Sequence, residues 1–525
     1  MPSELLSVRR VSFVAAPAAV PPDLNRADVA CIVGFVRRRE GAPPLWVRRW
    51  LVERGWLAEV EPGRRRGAPR VPFREPDVLD LRNVAVPVDS WGTFLDLFHE
   101  TRPGPGGMSL ACTLARTVAA FFAEGGRKCY VVRVADPPAI GAARAARLAL
   151  VDALSPLRAV PPIVAADPTS WRGLGQVLGV AEASMLLLPD LPELFAGEPE
   201  PLAEPPLLPQ PREVFAECAA APVEVPPRRA ASLEAPRFAA GHYEEWAARI
   251  NEIAGFLRRN APDVQLLAAV PLAQRGGDPR DEPPAVLSEL LSTATGPGPL
   301  ATSFVQLVYP WIAPRNVAAT PEGIEPADGA LSGVLARLAL SRGTHRSATD
   351  ELILSALDVV PALTLAQRSN VTPNDPRQRT FLDRVASLGR TADGIQLLSD
   401  VTPAEDDAWR PGAVHRLVNV VIRAARRIGE DLVFESSGEQ LWELVRERMT
   451  ALLEVLREDG AFGGLSPADA YEVRCGRDTM TQADLDAGRV IATVALNPAA
   501  PLERITVTLA VDVGGAVTIL DQAAA

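Results

Sequence analysis

Apolar residues recur along this chain in two rhythms. Residues 29–36 (VACIVGFV) form an unbroken apolar run, the mark of a strand buried on both faces. Residues 130–134 and 264–270 read as further buried strands, and 185–188 and 304–311 as strands. Between them lie stretches with helical spacing. Residues 91–98 form a helix with Ser90 as its N-cap, and residues 110–124 one that stops at Gly125-Gly126. Further helices are expected at 142–154, 173–178 and 243–260. Strand and helix alternating in this way predict an α/β layer architecture.

The C-terminal third reads differently, as α+β. A helix at 330–340 is followed by strand-like and loop segments to about residue 410. Two helices follow, 414–428 and 439–457, the second with Leu441, Leu444, Val445, Met449, Leu452, Leu453 and Leu456 at helical spacing. The chain closes on strands 489–496 and 505–513, where Ile505, Val507, Leu509, Val511 and Val513 alternate with Thr506, Thr508, Ala510 and Asp512. A short strand at 8–15 places Val11 and Phe13 on one face before a proline break. Residues 41–80 read as an inserted loop region with one short helix. Residues 189–237 carry proline throughout and read as an exposed loop or linker.

Composition narrows the classes. With 525 residues, 47% of them hydrophobic, the chain supports two to four domains. A charged fraction of 23% and a net charge of -11 describe an ordinary, mildly acidic surface and argue against broad nucleic-acid binding. The clusters Arg37-Arg38-Arg39 and Arg64-Arg65-Arg66 lack stacking aromatics and read as solvated or subunit-contact charges. No apolar run is long enough for a membrane helix, and no secretory signal is expected. Five scattered cysteines suggest neither a disulfide framework nor a zinc site, and fit a reducing cytoplasm.

Chemistry-bearing motifs are few. The four histidines, His99, His242, His345 and His415, have no metal-ligand spacing. No phosphate-binding P-loop and no nucleophile elbow occur. Gly173, Gly175 and Gly179 have the wrong spacing for a dinucleotide loop, and Glu405-Asp406-Asp407 sits in polar loop sequence. No catalytic, cofactor-binding or metal-binding residue is nominated, and an enzyme reading survives only as a fold-level default.

Four ordered stretches resemble the contractile-tail sheath family of phage tails, pyocin-like particles and extracellular contractile injection systems. They are residues 29–36 with Val86 to Trp91 and Phe94; Phe121 to Val134 (FFAEGGRKCYVVRV); and Tyr309-Pro310-Trp311-Ile312 with Gly329 to Arg337 and Gly343-Thr344-His345. The fourth is C-terminal and the most extensive. It includes Gly389-Arg390-Thr391, Val418-Asn419-Val420, Leu441-Trp442, Gly460 to Gly464 and Gly488-Arg489-Val490.

This resemblance implies a polymerising structural subunit that is not an enzyme and has no cofactor. Its expected domains are an N-terminal arm (1–20), an outer α/β domain (21–345, with the proline-rich loop 189–237) and a C-terminal α+β inner domain (346–525). The terminal segments, with Val11, Phe13, Ile505, Val507, Leu509 and Val511, are the expected inter-subunit arm strands. Arg416, Arg423, Arg426 and Arg427 are candidate charges for contact with a tube or a neighbouring subunit. The implied partners are further copies in sixfold stacked rings, an inner tube protein, and baseplate and cap proteins, with no nucleic acid and no membrane insertion. Contraction without nucleotide hydrolysis and assembly in a bacterial cytoplasm, with release of the particle, complete the expectation. A specialised end ring near baseplate or cap is the alternative, because the chain starts PSELLSVRRVSFV and lacks the family's proline-glycine-valine-tyrosine start. A cytosolic α/β enzyme is the less favoured third reading.

Overall fold

The computed structural model describes residues 27–57, 78–104, 107, 109–198, 233–275, 292–293, 296–297, 300–315, 319–368, 381–432, 438–464, 466–499, 505–511 and 517–524. Strand β1 (Ala30–Gly34) is buried at all five positions. Its side chains divide by parity: Cys31 and Val33 enter one core with Tyr130 and Trp246, Ala30 and Ile32 another with Phe121 and Leu331. That split is what a two-residue period produces in a strand covered on both faces.

Next come α1 (Leu45–Glu53), β2 (Val86–Val88) and α2 (Trp91–Leu97). Ser90 caps α2 as the sequence suggests, its Oγ accepting the Thr93 N–H at 3.1 Å. The helix expected from residue 110 begins later, because β3 (Thr101–Pro103) and β4 (Ser109–Ala111) first pair as a small hairpin. Helix α3 (Thr113–Ala123) then leads into β5 (Cys129–Arg133), parallel to β1. The helix expected over 142–154 is two short ones, α4 (Arg144–Leu148) and α5 (Val151–Leu154). Residues Gly173–Gly179 form a 3-10 helix, not a dinucleotide loop.

Strand β6 (Met185–Leu187) pairs with the other side of β1. It is followed by α6 (Leu191–Phe195), β7 (Arg237–Phe238), α7 (Ala240–Asn260), β8 (Gln265–Ala269) and β9 (Leu272–Ala273). Further along come the hairpin β10 (Ser292–Thr293) with β11 (Gly296–Pro297), then β12 (Val305–Tyr309), β13 (Trp311–Pro314) and α8 (Asp328–Ser341). Strand β14 (Ala356–Val360), α9 (Leu365–Arg368), β15 (Ala386–Thr391) and β16 (Gly394–Leu397) complete the first body.

The resulting eight-stranded sheet has the order β16-β15-β12-β8-β6-β1-β5-β2. It is parallel from β15 to β5, with one antiparallel strand at each end. Helix α7 covers one face, with Tyr243, Trp246 and Ile250 fully buried; α3 and α8 cover the other. The fold is therefore α/β here, and the sheet runs past residue 345, the expected domain limit, as far as Leu397.

The second body is α+β. Helices α10 (Gly412–Leu432), α11 (Glu439–Glu458), α12 (Pro467–Ala470) and α13 (Gln482–Asp486) accompany an antiparallel sheet. Its strands lie in the order β17 (Tyr471–Cys475), β18 (Val490–Leu496), β19 (Ile505–Val511) and β20 (Val517–Ala524). A third core joins Val418, Ile422, Met449, Leu453, Val494 and Val507, and apart from Ala27 its buried members come from residue 404 onward.

Candidate functional site

Helix α10 joins the two bodies, and its arginines are the joint. Arg416 is 6% exposed and forks onto the fully buried Asp400 carboxylate, with Nη2 to Oδ2 at 2.6 Å and Nη1 to Oδ1 at 3.0 Å. Asp400 also accepts the Ala348 N–H and the Gln306 side-chain amide, each at 2.8 Å. Burial pushes the Asp400 carboxyl upward, but the Arg416 charge and these hydrogen bonds outweigh it and hold the group below the usual carboxylate range. Gly412 has no room for a side chain, since a Cβ there would lie 2.5 Å from Asp400 Oδ1.

Two turns along the helix, Arg423 reaches under the sheet. Its Nη1 donates to the Glu182 carbonyl and its Nη2 to the Ala183 carbonyl, each at 2.7 Å. Arg426 forks onto Asp263, at 2.6 and 3.1 Å, and Asp263 is 1% exposed. Residues 182–183 and Asp263 precede β6 and β8, so both arginines grip the amino-terminal edge of the parallel strands. Burial lowers the Arg423 guanidinium below its ordinary value, and the Asp263 charge opposes that shift.

Arg416, Arg423 and Arg426, expected as contact charges, are hydrogen-bonded inside the chain, and Arg426 keeps 23% of its side chain exposed. A buried guanidinium needs acceptors for its N–H groups, and Asp400, Asp263 and the carbonyls of Glu182, Ala183, Asp263 and Arg346 supply most of them, leaving Arg423 Nε without a hydrogen-bond partner among the described residues. Arg427 is half-buried and has no hydrogen bond or ion pair among the described residues.

Strand β19, carrying Ile505, Val507, Leu509 and Val511, is interior to the chain's own sheet: it pairs with β18 on one side and β20 on the other. Val507 and Leu509 are buried, at 0% and 1% exposure. Among the described residues, the unpaired edges of this sheet are those of β17 and β20. Val11 and Phe13 lie outside the described residues. The sequence missed Asp263, Asp400 and Gln306 altogether, because each stands alone in an apolar stretch or loop with no motif around it.

Among the described residues no helix is long and apolar enough to cross a membrane, and no cluster of metal-ligating side chains occurs.

Comparison with known proteins bears on these bodies. Residues 404–512 match the phage tail sheath C-terminal domain family. No curated protein matches the chain. Among solved structures, a chain of the anti-feeding prophage (AFP) baseplate in contracted state superposes with a TM-score of 0.55 at 17% identity, covering 95% of this chain and 97% of that one. A chain from the sixfold-symmetrised AFP baseplate gives 0.52, also at 17% identity, over 95% and 97%. The contracted PVC sheath complex of an extracellular contractile injection system gives 0.51 at 17% identity, over 95% of both chains. Residues 404–512 thus match the phage tail sheath C-terminal domain family, and the chain as a whole shares the fold of these contractile injection system structures.

Proposed function

We propose that the chain is a structural subunit of the contractile sheath of a phage-tail-like injection system, polymerising around an inner tube and contracting without nucleotide hydrolysis. The observation that carries this reading is the likeness of 95% of the chain to such proteins, together with its sheath C-terminal domain. In the proposal the second body, on α10 and α11, faces the tube as an inner domain, and the eight-stranded body lies outside it. Strand addition between copies uses the open edges of β17 and β20, and the segment with Val11 and Phe13 is the candidate incoming strand. Main-chain hydrogen bonds at such edges persist while rigid bodies rotate, which suits a lattice relaxing between two packings. Arg427 remains the candidate contact charge on α10. Baseplate and cap proteins complete the partners, and assembly takes place in the bacterial cytoplasm. A second reading, an end-ring subunit beside the baseplate, is supported by the likeness to chains of two AFP baseplate structures.

Negative-stain microscopy of the purified chain with its tube protein tests the proposal. A sheath subunit gives long striated hollow cylinders, whereas an end-ring subunit gives a single ring per particle. A protein that stays a small oligomer in the presence of its tube protein sinks both readings. Deleting residues 1–16 should leave a folded chain that no longer assembles, and normal assembly of that variant overturns strand addition. Deleting 505–525 is not an equivalent test, because it removes the buried β19.

A further inference from the structure

The clamp occupies one edge of the parallel sheet, and a cleft of about 590 Å³ opens at the other. The chain runs from β1 to β5 on one side and then crosses to β6 on the other, so it winds both ways from β1. Sheets wound in this manner leave a crevice outside the carboxyl ends of their strands, where ligands of α/β proteins bind. The walls here follow those ends: Ala142 comes after β5, Glu193 after β6 and Trp311 after β12.

The charged rim is internally neutralised. Arg102 forks onto Glu193 at 2.8 and 2.9 Å, and Arg116 donates to Glu325 at 2.6 Å. Arg147 spends its donors on the Ala142, Glu193, Ala196 and Gly197 carbonyls. The rim also carries the Arg237–Glu234 pair and Glu198, which accepts the Arg144 N–H, yet some donors stay unanswered. Thr320, 4% exposed, has a hydroxyl with no hydrogen-bond partner among the described residues, and so does the buried Arg102 Nε. Helix α3 begins at the wall residue Thr113, and its cap residue Cys112 offers no side-chain acceptor to the first N–H groups. His242 accepts the Ala239 N–H at Nδ1, so its Nε2 carries the proton and is one more donor. Trp311 and Ile324 supply apolar wall.

We infer that this cleft binds a small organic acid, its carboxylate or phosphate head taking up the unanswered donors and its apolar body lying against Trp311 and Ile324. The site is independent of the sheath reading and stands if that reading falls.

The test uses the full chain and 8-anilinonaphthalene-1-sulfonate as fluorescent probe. One equivalent should bind saturably, and phenylacetate or phenyl phosphate should displace it at least about tenfold more effectively than neutral benzyl alcohol, a factor set by a charge-assisted hydrogen bond. Comparing the two acids distinguishes a carboxylate from a phosphate head. Ala142→Trp, which fills the cleft, should abolish binding. Thr320→Val, which removes a buried hydroxyl that has no partner, should keep the melting temperature and weaken the acids several-fold. Probe binding unchanged by Ala142→Trp, or equal displacement by benzyl alcohol, overturns the proposal. Should Ala142→Trp fail to fold, Thr320→Val decides: unaltered affinity for the acids overturns it as well.

Discussion

His415, near the start of α10, is fully buried between the rings of Phe304 and Trp409, 5.2 and 6.4 Å away by ring centroids. Neither ring nitrogen has a hydrogen-bond partner among the described residues. Burial, and after it the Arg416 charge, push the imidazole down from 6.5 to about 3. The unfolded chain therefore binds the proton first as pH falls. The stability from neutral His415 is complete above about pH 6.5 and drains away between there and about pH 3. Asp190 and Asp328 act in the opposite sense. Burial raises both carboxyls to about 7, so their contribution is complete at low pH and lost as pH rises through about 7. The difference between variant and wild type isolates the histidine. His415→Phe should be neutral or stabilising at pH 7, since it removes two unsatisfied polar atoms. By about pH 5 it should gain about 2 kcal/mol more over wild type. Urea unfolding at the two pH values measures this, and a pH-independent difference would refute the buried neutral imidazole.

At the scale of elements, the α3–α8 contact is built on glycines. A Cβ on Gly329 would lie 2.7 Å from the Thr117 carbonyl oxygen, and one on Gly333 would lie 2.5 Å from that of Phe121. The helix backbones thus touch through glycines one turn apart. Gly125 ends α3 at φ +105, where a side chain is strained. Glu124, fully buried just before it, accepts the Ser355 N–H at 2.6 Å and the Leu354 N–H at 3.0 Å. Gly333→Ala should cost about 1–3 kcal/mol, because the obstacle is backbone and cannot swing aside. An unchanged melting temperature would show that the helices can separate without loss. The sequence reveals the helices and the glycine stop, but not the partner face, which depends on residues some two hundred positions away.

For the whole molecule, the clamp sets how the two bodies share stability. Asp263 answers Arg426 and lies 3.5 Å from the Arg423 Nε. Removing it leaves two cations at the sheet edge with fewer acceptors, and breaking a buried pair of this kind costs about 3–5 kcal/mol. Asp263→Ala should therefore loosen the second body first. Hydrogen exchange should rise over α10 and β18 while β1, β6 and β8 keep their protection. Uniform loss of protection across both bodies would mean that the clamp is not the joint. If the chain is a sheath subunit, the same variant should form cylinders that are more easily triggered, which microscopy after mild acid or denaturant can read.

The sequence by itself determined the local structure. Largely apolar runs mark β1, β5, β6, β8 and β12, helical spacing marks α7, α10 and α11, and Ser90 marks the start of α2. Each follows from a period of two or 3.6 residues or from one hydrogen bond to a near neighbour. The tertiary structure decided the rest. Whether an arginine on α10 faces outward depends on an Asp263 carboxylate and a Glu182 carbonyl, the latter 241 residues away. Whether β19 is an exchanging arm or an interior strand depends on β20 folding back beside it. Periodicity reports which positions are buried, but not against what, because burial is a sum over neighbours that the order of residues does not name.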